Sequence, residues 1–240
     1  MLPLKCRTRG NQFVTLVTNL LAAALLIIGD SLAFASDIPV PTPKPVQAIH
    51  ASPPPKLTQY ATNPMVCQSE LRAFGVTFKP MPPISDPIGC SIDNPIEVTA
   101  LAPNLKLTPP ALLDCPTALK LATFIRNDAQ KITVSTLGST IASVTQDSAY
   151  VCRTRHGSSK LSEHAFGRAI DIASFTLSDK RTILVEASLT SEPKTKLFLD
   201  AIRAKACGPF TTVLGPGSDP DHAYHFHFDL APRKGKPFCQ

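Results

Sequence analysis

Residues 222–230 read HAYHFHFDL, and from 225 onward polar and apolar side chains alternate. A period of two is the signature of a β-strand with one face in a core. On such a strand His225, His227 and Asp229 share one face. Phe226, Phe228 and Leu230 take the other and are expected to pack inward, leaving the histidines to line a cleft. His222 belongs to the same cluster, with Asp219 and Asp221 just before it.

The stretch LSEHAFGRAIDIASF, residues 161–175, is the natural complement. RAIDIASF alternates well enough to be a strand. His164 then lies just before it and Asp171 on it, with Gly167 between them to let the backbone turn. Imidazole nitrogens and a carboxylate oxygen are suitable zinc donors, and a catalytic zinc site keeps three protein ligands and one position for water. His164, Asp171 and one histidine of the HxH pair supply that set. The remaining histidines are left for orienting or acid–base work. Copper and nickel also accept imidazole, but a carboxylate beside two imidazoles suits zinc.

Further short strands are expected in VTFKPMPP, IEVTAL, STIASVTQDSAYVCR, RTILVEAS and FTTVLGPG. MVCQSELRAFG reads as a helix ended by Gly75, and KTKLFLDAIRAKACG as an amphipathic helix ended by Gly208. In TPPALLDCPTALKLATFIRNDAQ, Thr108 is a candidate cap with proline at the first helical positions. Pro116 offers a second start within the same stretch. Strands outnumber helices without strict alternation, so the expected class is α+β, with a largely antiparallel sheet and flanking helices.

The N-terminus places the chain. Lys5, Arg7 and Arg9 precede an apolar run from Phe13 to Ile28, and Ala33 and Ala35 stand in cleavage-site positions. Residues 1–35 therefore read as a signal peptide, an uncleaved anchor being the other reading of a run this short. Residues 36–60 are a proline-rich linker in extended polyproline form, with His50 inert within it. Residues 61–240 form one domain. The expected destination is export, periplasmic or secreted.

Seven cysteines occur, and removal of the leader takes Cys6 with it. Cys67, Cys90, Cys115, Cys152, Cys207 and Cys239 remain, without a CxxC pair, and read as three disulfides of an oxidising compartment. The pairing expected here is Cys67–Cys90, Cys115–Cys152 and Cys207–Cys239, one of the 15 that six cysteines allow. The net charge of +6 falls to +4 once three basic residues and one acid leave with the leader. No basic cluster with interleaved aromatics accompanies it, which excludes nucleic acid as the expected partner. After cleavage no membrane partner is expected either.

SEHAFGRAIDI resembles the S-x-H-x-x-G-x-A-x-D element of zinc-dependent D-alanyl-D-alanine peptidases, through Ser162, His164, Gly167, Ala169 and Asp171. HFH resembles the second element of the superfamily that joins lysostaphin-type peptidases, D-Ala-D-Ala metallopeptidases and the hedgehog signalling domain. The wider pattern from Cys67 to Cys239 resembles bacterial extensin-like proteins of the C-terminal-domain family.

The resemblance implies a hedgehog/D-Ala-D-Ala-peptidase-like fold and one Zn²⁺ per chain on His164, Asp171 and His227. It implies peptidoglycan peptides as substrate. His225 would stabilise charge or move protons. His222 stands five before His227, as in penicillin-insensitive murein endopeptidases. Ser162 and Arg153 fall where substrate is met. A guanidinium at 153 would hold a peptide carboxylate or polarise the scissile carbonyl, a structural ion pair being its other reading. One position departs from the pattern: carboxypeptidases carry Glu or Asp three residues before the last ligand, and here Tyr224 stands there. Two function classes follow, a zinc metallopeptidase and a non-catalytic, metal-stabilised wall-binding module. A disulfide-stapled domain without metal is a third reading.

Overall fold

The computed structural model describes residues 63–186 and 192–240. The expected signal peptide and linker, with His50, lie outside the described residues. The first helix, α1 (Pro64–Ala73), is capped by the Asn63 side chain, which accepts from the Val66 N–H at 3.2 Å, and is followed by Gly75 at φ +74°. Its buried residues, Cys67 and Leu71, face the core.

Strand β1 (Thr77–Pro80) pairs with β4 (Pro95–Ala102), which forms a hairpin with β5 (Leu105–Asp114). Between β1 and β4, the two-residue strands β2 (Ile84–Ser85) and β3 (Ser91–Ile92) make a separate ribbon.

Residues 108–114, expected to open a helix, belong to β5. Pro109 and Pro110 lack N–H groups and would weaken a central ladder. They sit where the ladder relaxes. The register on β4 jumps from Val98↔Ala111 to Ala100↔Lys106, and pairing with β6 (Ile141–Ser148) has ended at Thr108. The main helix begins at the second start. Asp114 caps α2 (Cys115–Phe124) by accepting from Thr117 N–H at 2.8 Å, and Pro116 occupies the first turn. A π-helical segment (Ile125–Ala129) leads into α3 (Gln130–Leu137), which Gly138 ends at φ +70°.

Four elements complete the main sheet: β7 (Ala169–Leu177), β8 (Thr182–Leu184), β9 (Thr212–Leu214) and β10 (Phe226–Asp229). A short β11 (Phe238–Cys239) closes its edge, and α4 (Pro193–Ala206) precedes β9. The strand order is β1-β4-β5-β6-β7-β10-β9-β11, with β8 also on β7. All neighbours are antiparallel except β5/β6 and β9/β11. The class is therefore α+β with a large, mostly antiparallel sheet.

The inward faces of the sheet and the helices share one core. Phe226 and Phe228 are fully buried, as their alternation predicts. Phe228 stacks on Phe210 at 5.0 Å and meets Phe124 of α2 edge-on at 5.9 Å. Removing a ring of this kind costs about 3–5 kcal/mol. That rigidity matters because the opposite face of β10 carries His227 and Asp229.

Three disulfides staple this arrangement: Cys67–Cys115, Cys90–Cys152 and Cys207–Cys239. The third agrees with expectation. The pairings Cys67–Cys90 and Cys115–Cys152 are corrected. A disulfide requires Cα atoms about 4.4–6.8 Å apart, and tertiary packing decides which meet. α1 lies against the start of α2, so Cys67 reaches Cys115 at 6.1 Å. Cys90, at the ribbon, faces Cys152 at 5.6 Å.

Candidate metal centre

His164 is placed by a single 3₁₀ turn, Glu163–Phe166. The Ser162 hydroxyl caps it by accepting from His164 N–H at 3.4 Å. Gly167 ends it at φ +62°, and any Cβ there would stand 2.7 Å from the Asp114 nitrogen and 2.6 Å from Ile92. Only glycine lets the turn lie this close to the start of α2. The buried Glu163 carboxylate is approached from both sides by Arg155 at 2.9 Å and Arg168 at 3.1 Å. These contacts turn His164 fully into the interior.

Asp171 and His227 are direct cross-strand partners on β7 and β10. The three side chains meet: His164 Nε2 is 3.2 Å from an Asp171 oxygen and 3.2 Å from His227 Nδ1, and His227 Nδ1 is 2.9 Å from the other Asp171 oxygen. All three residues are buried and their donor atoms lie within 4.8 Å of one another. Two ligands held at about 2.0–2.1 Å by a tetrahedral zinc stand roughly 3.3 Å apart, so the spacing suits such an ion.

The outer nitrogens reinforce this. His164 Nδ1–H donates to Ala149 O at 2.5 Å. His227 Nε2–H donates to Asp229 Oδ2 at 3.1 Å, and Asp229 is itself held by Ala231 N–H at 3.0 Å and the Thr211 hydroxyl at 3.3 Å. Each imidazole thus turns its free lone pair towards Asp171. A backbone carbonyl or carboxylate behind a metal-binding histidine sets its tautomer and raises its basicity. The residues fit a zinc ion.

Without a cation the cluster holds protons instead. Burial alone would raise Asp171, but hydrogen bonds from His164 and His227 outweigh it and hold the carboxyl far below its usual range. Burial likewise works against a charged His227, yet its bonds to Asp171 and Asp229 push it up to about 9. His227 is then an imidazolium between two carboxylates.

The other expected residues stand around a cleft of about 480 Å³ that reaches this cluster at His227. His225 lies one step before β10. Its Nε2 is 3.6 Å from Asp171, its Nδ1 3.9 Å from Asp147 Oδ2, and burial pulls its pKa below the ordinary value. His222 ends a 3₁₀ turn, Pro220–His222, and both Asp219 oxygens accept from its Nδ1, at 2.7 and 2.8 Å. Its ring centre is 5.3 Å from that of His225 and 5.5 Å from that of His227. Arg153 lines the cleft exposed to solvent, and its guanidinium reaches only Thr154 O at 3.4 Å among the described residues. Ser162 also lines it, though buried and committed to the turn. Tyr224 is 68% exposed and is not a lining residue.

Several lining residues were not singled out by sequence. The sequence sets Asp219 beside the histidines and Asp229 on their strand face; their roles as histidine partners come from side-chain direction. His156 pairs with Asp221 at 2.7 Å across the mouth. Arg233 and Phe238 arrive on the C-terminal arm, which no spacing signal connects to the histidines.

Residues 65–240 match the family model described as Extensin-like protein C-terminus. No curated protein and no solved structure matches the chain. Among the described residues no helix is long and apolar enough to cross a membrane.

Proposed function

The chain belongs to the extensin-like C-terminal family, and from that premise we propose an exported, zinc-dependent hydrolase of peptide amide bonds, acting on peptidoglycan peptides. The observation that carries the reading is the convergence of His164 Nε2, Asp171 and His227 Nδ1, each imidazole oriented by an acceptor behind it. These three residues would hold the ion. Bound there, zinc polarises a carbonyl and lowers the pKa of its water towards neutral. We read the sheet as related to that of D-Ala-D-Ala metallopeptidases and the hedgehog domain, on the strength of the two motifs. Three disulfides in so small a domain accord with an oxidising, extracytoplasmic setting.

The chain's own groups divide the remaining work. His222 takes the place of the carboxylate that position 224 lacks. With Nδ1–H held by Asp219, its Nε2 is the basic atom, and it accepts the proton released in attack and passes it to the leaving amine. His225, kept neutral by burial, donates to the developing negative charge. Arg153 orients the substrate through its carbonyl or carboxylate groups. Mass spectrometry of muropeptides treated with the zinc-loaded protein tests this. Cleavage of stem or cross-link peptides is expected, and intact substrates across both sets contradict it.

A second reading is favoured by Tyr224, whose side chain faces solvent where related carboxypeptidases carry a carboxylate. It is a metal-stabilised module that binds the wall without cutting it. Wall pull-down that survives His222→Ala and His225→Ala, with no muropeptide product from the parent protein, supports it.

A further inference from the structure

Charge in the cleft is matched except at two guanidiniums. Asp219 is taken by His222, Asp221 by His156, Asp229 by His227 and Glu163 by Arg155 and Arg168. Among the described residues, Arg153 and Arg233 meet no carboxylate within 4.0 Å. The two differ in how they are held. Arg153 has one long bond to a neighbouring carbonyl. Arg233 donates from Nη2 and Nε to the Thr212 hydroxyl, at 2.8 and 3.2 Å, and lies 5.4 Å over the Phe238 ring.

The sheet register places that guanidinium. Thr212 is the cross-strand partner of Asp229 on one side and of Phe238 on the other. The row Asp229–Thr212–Phe238 is therefore the next same-face row after His227–Leu214, about 7 Å along the strands. The Cys207–Cys239 disulfide pins the arm that carries Arg233 and Phe238. An arginine lying over an aromatic ring and fixed through one edge keeps its remaining N–H groups aimed, and such a fork prefers a carboxylate.

We infer that Arg233, seated on Phe238 and Thr212, is a carboxylate anchor for the bound peptide, one same-face strand position from His227. This rests on the peptidase reading of the cleft and names its substrate class. A chain residue spans at most about 3.3–3.6 Å. The anchored carboxylate thus belongs to a residue one or two beyond the amide held at the metal cluster. It is either a terminal α-carboxylate or an acidic side chain at that position.

Calorimetric titration of the zinc-loaded full chain tests the assignment, with probe integrity checked by mass spectrometry. Three probes are used: an acetylated tripeptide acid, its C-terminal amide, and an amide whose last residue is glutamate. The acid or the glutamate amide is expected to bind about ten-fold or more tightly than the neutral amide. Preference for the tripeptide acid over the glutamate amide identifies the α-carboxylate as the source, and the reverse identifies the side chain. Arg233→Gln should abolish the preference while leaving neutral-amide binding unchanged, and Arg233→Lys should restore part of it. Equal binding of all three probes overturns the proposal. So does a preference that survives Arg233→Gln, which would assign the carboxylate to Arg153 or to the metal. A carboxylate preference without any muropeptide cleavage would leave this anchor standing and remove the peptidase reading.

Discussion

The two sides of the cleft are built differently. On and beneath the floor, which His227 lines, His164, Asp171 and His227 are buried, come from a glycine-locked turn and two paired strands, and have acceptors behind both imidazoles. On the rim, His222, Arg153 and His156 stand on turns and loops, and exposed carboxylates or carbonyls hold them. A floor that holds an ion must keep its donors within tenths of an ångström. A rim that handles a substrate needs access and room to adjust. The floor should therefore tolerate no substitution, and the rim should lose rate before it loses structure.

The largest effect tests the floor directly. His164→Ala should abolish muropeptide cleavage altogether, where measurable residual turnover would show that the reaction does not depend on the cluster. On the rim, His222→Ala should lower kcat about 10²–10⁴-fold with bound zinc intact. Loss of zinc from that variant would erase the distinction between the two sides. Asp229→Asn probes the support behind the floor. It should weaken zinc about 10–100-fold, measured by competition with a chelator, and should leave the rim's substrate contacts alone.

The smallest expected effect is a pH dependence confined to the floor. His227 in the metal-free protein has its pKa raised to about 9, above the ordinary value of 6.5. Its contribution to folding stability is then fully present below about pH 6.5 and is lost as pH rises through 9. Zinc must displace that proton, so zinc affinity should rise with pH up to about 9. Chemical denaturation of the chelated protein and zinc titration at several pH values check both signs. Equal stability at pH 6 and pH 9.5 would place no imidazolium at 227.

This division also governs what was legible in the sequence. The floor residues were legible because they sit in two short motifs of metal-donor side chains, and the strand period puts His227 on the face opposite Phe226 and Phe228. Phe226 and Phe228 fell to the core for the same reason. That His227 faces Asp171 was not legible, since it depends on β7 and β10 being neighbours. Of the rim, His222 and Arg153 were legible and His156 was not. Asp219 acts through the direction of a side chain, and Arg233 and Phe238 arrive by the parallel addition of β11 to β9, far from any local signal. Of the two helix starts the sequence offers, the earlier one, at Thr108, fails for a similar cause. Pro109 and Pro110 look like first-turn prolines in isolation, but the register jump on β4 gives them a place in a strand, and Asp114 supplies the cap. Cys67 reaches past Cys90 to Cys115 because helix packing, which has no local code, brings α1 against α2.

The most direct measurement is elemental analysis of the purified protein beside its His164→Ala,His227→Ala variant, with thermal melting of each before and after chelation. One zinc per chain in the parent, none in the variant, and a melting temperature that drops on chelation of the parent alone are the results predicted. A parent that retains no metal after zinc loading, and melts identically with and without it, would contradict the metal centre.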